Sequence, residues 1–189
     1  VVYDNWQDVF GTRLTGNLSH SFGGEFGIAG WRDIEDHPAV AACHSADQYF
    51  VAWESLQEKH RYDIYGRFIN GDGTLADVRH VRGTSVEEQR PDVACDPGAR
   101  QYLVVWEQQY SNLSGPFGIW GRLLNTDRTQ EAYFAIVPGA GASRSTPAVF
   151  GGRPGYLAAW ADNLGSATDQ DIRGAILTRY TGVLPLVMR

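Results

Sequence analysis

The sequence predicts an all-β fold made of repeats, and three landmarks carry that prediction. Tryptophans stand at Trp53, Trp106 and Trp160, in steps of 53 and 54 residues. Glycines stand at Gly11, Gly66, Gly121 and Gly174, in steps of 55, 55 and 53. Prolines stand at Pro38, Pro91 and Pro147, in steps of 53 and 56. Three landmarks of different chemistry that keep one step are not a chance pattern. A period near 50 residues with several strands in each unit predicts a β-propeller, built from about four repeats of four antiparallel strands. The first and last units are incomplete: a partial unit spans 1–37, and the others span 38–90, 91–146 and 147–189 of one repeat domain.

Each strand has its own signal. The first strand of a unit follows the proline (39–42, 92–95 and 148–150), where a missing N–H is tolerated. The second is the Tyr-to-Trp run (49–53, 102–106 and 156–160), rich in aromatic and β-branched residues. The third is the Ile-x-Gly run (64–69, 119–124 and 172–177). Asn70-Gly71-Asp72-Gly73 is a turn signal that leads to a fourth strand at 78–81, with its counterpart at 132–137. The partial unit begins inside its second strand, and 26–31 supplies its fourth. A lone four-stranded sheet exposes two faces, so sheets of this kind stack and bury their aromatic side chains. The tryptophans are therefore expected in sheet-to-sheet packing.

Composition narrows the function classes. A formal net charge of -6 argues against a nucleic-acid partner. No run of 18 apolar residues exists, so no helical membrane span is expected. The chain starts without Met or a signal peptide, which fits a segment cut from a longer chain or a ring completed by another copy. Unclosed terminal units leave strand edges open to self-association.

The pattern Pro-x-Val-Ala, then Tyr-Leu-Val-Val-Trp-Glu, then Asp-Ile-Tyr-Gly-x-Arg, resembles a repeat common in large secreted and surface proteins of bacteria. Those repeats are generally regarded as propeller blades. The resemblance implies an extracellular or cell-surface location and a scaffold role, and it attaches no catalytic residues. The fourth unit departs from it with Ala161 in place of the acid, beside Asp162, and the third has Gly118 in place of the Asp before Ile.

Acids recur at both ends of the loop between the second and third strands. Glu54 and Asp63 flank it in one unit, Asp162 and Asp171 in another. Such pairs suit a hard cation such as calcium. A salt bridge or turn cap with the recurrent Arg13, Arg67 and Arg122 is the favoured reading, because no Asp-x-Asp-x-Asp-Gly ligand spacing appears. These loops (55–62, 108–117 and 161–170) vary most between units, and loops on a rigid scaffold are where ligands bind. Tyr62, Tyr110, Phe117, Asn112 and Asp169 are the ligand-binding candidates. The five histidines (His20, His37, His44, His60 and His80) show no zinc-ligand spacing. Cys43 and Cys95 sit one position out of register in successive units, so their side chains are expected to diverge and remain free thiols. Asn17 and Asn112 open glycosylation sequons. The expected function is a non-catalytic binding or interaction module of a secreted or surface protein, with a protein or glycan ligand. A lectin-like carbohydrate-binding propeller is the alternative. A glycoside hydrolase, which needs two carboxylates roughly 5 to 10 Å apart, is the further one.

Overall fold

The computed structural model describes residues 1–5, 8–14, 21–30, 34–57, 61–111, 115–152, 155–163 and 170–178. The described residues form four separate antiparallel sheets, each a simple meander. The first holds β1 (Val2–Asn5), β2 (Asp8–Leu14) and β3 (Ser21–Ala29). The second holds β4 (Glu35–Cys43), β5 (Gln48–Gln57), β6 (Arg61–Asn70) and β7 (Arg79–Arg82). The third holds β8 (Glu88–Asp96), β9 (Gln101–Gln109), β10 (Phe117–Asn125) and β11 (Gln130–Val137). The fourth holds β12 (Ser143–Gly152), β13 (Gly155–Asn163) and β14 (Asp171–Thr178). One 3-10 turn, His44–Ala46, joins β4 to β5. Among the described residues no helix is long and apolar enough to cross a membrane.

The sheets pack through three apolar cores. Val9 and Ile28 of the first sheet meet Val51 and Trp53 of the second. Phe50, Ala52 and Ile64 of the second meet Val104 and Trp106 of the third. Leu103, Val105 and Ile119 of the third meet Ala158 and Trp160 of the fourth. Each tryptophan thus packs between sheets, as the repeat led us to expect, and the face it covers is that of the preceding sheet. Side chains alternate across a strand, so β5 and β9, covered on both faces, need an unbroken apolar run where a half-exposed strand would alternate. The repeated Tyr and Arg fasten the stack. Tyr102 Oη donates to the Gln48 carbonyl at 2.9 Å and Tyr156 Oη to the Gln101 carbonyl at 2.7 Å. Arg67 Nη1 and Arg122 Nη1 donate to the Ile28 and Val81 carbonyls, both at 2.7 Å.

Three sequence expectations need correction. The proline does not open the first strand of a unit. It lies inside β4, β8 and β12, at a register irregularity. The residue before it is left-handed each time, with φ of 50° at His37, 52° at Arg90 and 50° at Thr146. A bulge absorbs the residue that cannot join the ladder, so pairing resumes on the other side of it. The stretch 84–90, whose polar composition alone would place it in solvent, instead buries Glu88 completely.

The third correction concerns the cysteines. Cys43 and Cys95 are bonded to each other, with Cα atoms 5.5 Å apart. The one-position offset is the reason they meet. Cys43 lies on the face of the second sheet that looks toward the third, and adjacent positions of a strand point to opposite faces. Stacked sheets touch through opposite faces. A cysteine shifted by one position in the next sheet therefore looks back at the first, and β4 lies against β8 in the stack.

Candidate functional site

Among the described residues, the end of the stack toward which β5 and β9 run gathers three of the four carboxylates that burial raises, Glu54, Glu87 and Glu88. The acid after each tryptophan forms a latch between sheets. Glu107 Oε1 accepts from the Thr146 N–H of the fourth sheet at 2.7 Å. Within its own sheet the same carboxylate takes Gln89 Nε2 at 3.0 Å and Arg90 Nη1 at 3.3 Å. Glu54 repeats the arrangement one sheet earlier, its Oε2 accepting the Arg90 N–H of the third sheet at 2.5 Å. In both cases the donor is the left-handed residue before a proline, so the bulge aims an N–H across the gap.

Around Glu54 the in-sheet partners differ from those of Glu107. His37 Nδ1 lies 3.1 Å from Glu54 Oε1 and 3.4 Å from Asp36 Oδ2. The His37 N–H donates to Asp36 Oδ1 at 2.7 Å. Burial raises the Glu54 pKa, and the Asp36 charge pushes the same way, against the Arg90 N–H and the His37 ring. Asp36, His37 and Glu54 form a group whose ligand atoms lie within 4.8 Å of one another, the one such trio among the described residues.

Tyr62 stands next to this trio, with Glu87 at its N–H and Glu88 following in β8. Burial and the charges of Glu54, Asp36 and Glu87 raise the Tyr62 pKa. The Tyr62 N–H donates to Glu87 Oε1 at 3.4 Å, and burial raises Glu87 as well. Burial pushes Glu88 up to about 7, with the Asp63 charge adding to it. The Thr84 hydroxyl donates to Glu88, and Arg82 Nε stands 3.7 Å away, yet desolvation outweighs both. An ion pair this long does not restore the water lost on burial.

The other acids proposed as calcium ligands are paired with basic side chains. Asp63 pairs with His80 Nε2 at 3.3 Å. Buried Asp162 lies 3.5 Å from both Arg144 Nε and Arg173 Nε, and Asp171 lies 3.7 Å from Arg173 Nη2. Asp162 and Asp171 stand directly opposite each other in the ladder and share that arginine. Arg67 and Arg122 serve the stack, and Arg13 donates to the Asp72 carbonyl at 2.9 Å. Of the aromatic candidates, Tyr110 is 61% exposed, while Tyr62 and Phe117 are half-buried. Asn112 and Asp169 lie outside the described residues, as do Asn17, His20 and His60.

At the opposite end of the first and second sheets lies a cavity of about 410 Å³, lined by Val1, Val2, Phe26, Tyr49, Val51 and Ile69 among others. Sequence reasoning missed this cavity, and it missed Asp36, His37, Glu87 and Glu88. A signal for His37 was present: the residue before the repeated proline reads His, Arg and Thr in turn. No protein-family model matches the chain, and no curated protein matches it.

Proposed function

We propose that the chain is a non-catalytic binding module of propeller type, in which the stacked sheets are blades and the loops at the Tyr62–Tyr110 end meet a protein or glycan ligand. One observation carries this reading. The acid after the tryptophan braces the scaffold: Glu54 and Glu107 are buried and hold the next sheet through Arg90 and Thr146. The residues left facing solvent at that end differ from sheet to sheet, as recognition surfaces on a fixed frame do. The disulfide supports an oxidising compartment, in keeping with a secreted or surface protein.

The hydrolase alternative has less support. Glu88 has the raised pKa of a general acid, but it is fully buried and held by Thr84, so its proton has no path to a substrate. A lectin with one site in each blade would need like loops, and 55–62, 108–117 and 161–170 differ in content, the first also being shorter than the other two.

The test is binding of the intact chain to a broad glycan array, with crosslinking to proteins of its source as the parallel arm. Each is run against the Tyr62→Ala, Tyr110→Ala double variant. Capture that the double variant loses is the expected result. Equal capture by both forms removes the ligand from this end. Turnover of an aryl-glycoside panel, abolished by Glu88→Gln, overturns the non-catalytic reading.

A further inference from the structure

We propose that Asp36, His37 and Glu54 form a binding site for one divalent transition-metal ion, of the zinc, cobalt or nickel class. The repeat itself supplies the comparison that points there. In the third sheet the corresponding trio is Gln89, Arg90 and Glu107, and the guanidinium and the amide neutralise the buried carboxylate. Its formal charge is zero: one positive Arg against one negative Glu. In the second sheet the amide is replaced by Asp36 and the guanidinium by His37. With the imidazole neutral, the trio carries two negative charges and none positive. A buried carboxylate needs a compensating cation. A divalent ion supplies both missing charges at the place where the third sheet has Arg90.

Geometry agrees with charge. Each carboxylate has one oxygen tied by a backbone N–H: Asp36 Oδ1 by His37, Glu54 Oε2 by Arg90. The second oxygens, Oδ2 and Oε1, turn toward His37 Nδ1 at 3.4 and 3.1 Å. These two separations match the roughly 3.3 Å between ligands on a tetrahedral zinc ion with bonds of about 2.0–2.1 Å, and the third, between the two carboxylates, lies within 4.8 Å. The backbone donors thus act as the outer shell that orients ligating carboxylates. Glu54 anchors the group from the interior, while Asp36 and His37 are part-exposed and leave an entry for the ion. The mixed N/O set favours a borderline ion over calcium, which takes six to eight oxygens. The inference does not rest on the binding-module reading.

The experiment is a calorimetric titration of the chelator-stripped chain with Zn²⁺, paired with the visible spectrum of the Co²⁺ form. The expected result is one ion per chain and a cobalt spectrum of low coordination number. Asp36→Asn is expected to weaken Zn²⁺ binding by at least about tenfold. The double variant Asp36→Gln, His37→Arg copies the third sheet's trio. It is expected to fold, as read by circular dichroism, and to show no stoichiometric binding. If that variant does not fold, Asp36→Asn carries the same decision. The absence of a stoichiometric site in the wild-type chain overturns the proposal. So does Zn²⁺ affinity unchanged in Asp36→Asn, which places the ion on other groups. Displacement of Zn²⁺ by equimolar Ca²⁺ overturns the choice of metal class.

Discussion

The third and fourth sheets carry the same apolar pattern, but they do not bury it equally. Leu103 and Ile119 of the third sheet are fully buried under the fourth. Their counterparts by the repeat, Leu157 and Ile172, are 45% and 76% exposed. Ile176, two residues after the repeat glycine as Leu123 is, is also exposed. Strand pairing in β13 and β14 is as regular as in β9 and β10. A sheet's pattern therefore sets which face is able to pack, and the neighbour decides whether it does.

The largest expected effect tests that contrast directly. Trp106→Ala removes a fully buried ring between two sheets and is expected to cost about 3–5 kcal/mol in denaturant unfolding. Ile172→Ala, on the uncovered face, is expected to stay within about 0.5 kcal/mol. Comparable losses at both would mean that the fourth sheet's outer face is covered in solution. Next comes the disulfide, which closes a sequence separation of 52 residues between the second and third sheets. Replacing both cysteines by serine is expected to lower stability by about 2–4 kcal/mol. A loss near zero would show that the β4–β8 contact holds without it.

Glu88 predicts a pH dependence. Folded Glu88 keeps its proton up to about 7, against 4.5 for an ordinary Glu. Between those values the native state binds more protons than the unfolded state, so stability falls as pH rises from about 4.5 to 7 and then levels off. The drop is on the order of 3 kcal/mol at most. Glu88→Gln is expected to flatten that slope, and melting curves at pH 5 and pH 8 read it. A slope unchanged in the variant would assign it to Glu54, Glu87 or Asp92, which burial also raises. Apart from the uncovered face, the smallest loss is expected at the latch. Glu107→Ala leaves the Thr146 N–H and the Arg90 guanidinium without their acceptor and is expected to cost about 1–3 kcal/mol. The fourth sheet has Ala161 at this position, so it offers no such latch to compare.

Much of the frame was legible in the chain because its signals are local. The Tyr-to-Trp and Ile-x-Gly runs marked the second and third strands by their aromatic and β-branched content, and the Asn70–Gly73 turn marked the connection from the third to the fourth. The first strands were read too short. A proline looks like a boundary in one dimension, and only the bulge at His37, Arg90 and Thr146 lets the strand run through it. The candidate site was less legible. Glu54 was identified by repetition. Its partners were not, because His37 reaches it across a ladder and Arg90 from the next sheet.

By itself, then, the sequence determined the all-β repeat, the strand order within each unit, and the tryptophans as packing residues. Those follow from period, side-chain alternation and turn residues, which act over a few positions. The tertiary structure decided which groups meet. It joined Cys43 to Cys95 because opposite faces of successive sheets touch, and it turned the post-tryptophan acids into inter-sheet latches because a left-handed bulge aims an N–H across the gap. It also gathered Asp36, His37 and Glu54 around one point. Such meetings depend on how whole sheets stack, and no short window of residues carries that information.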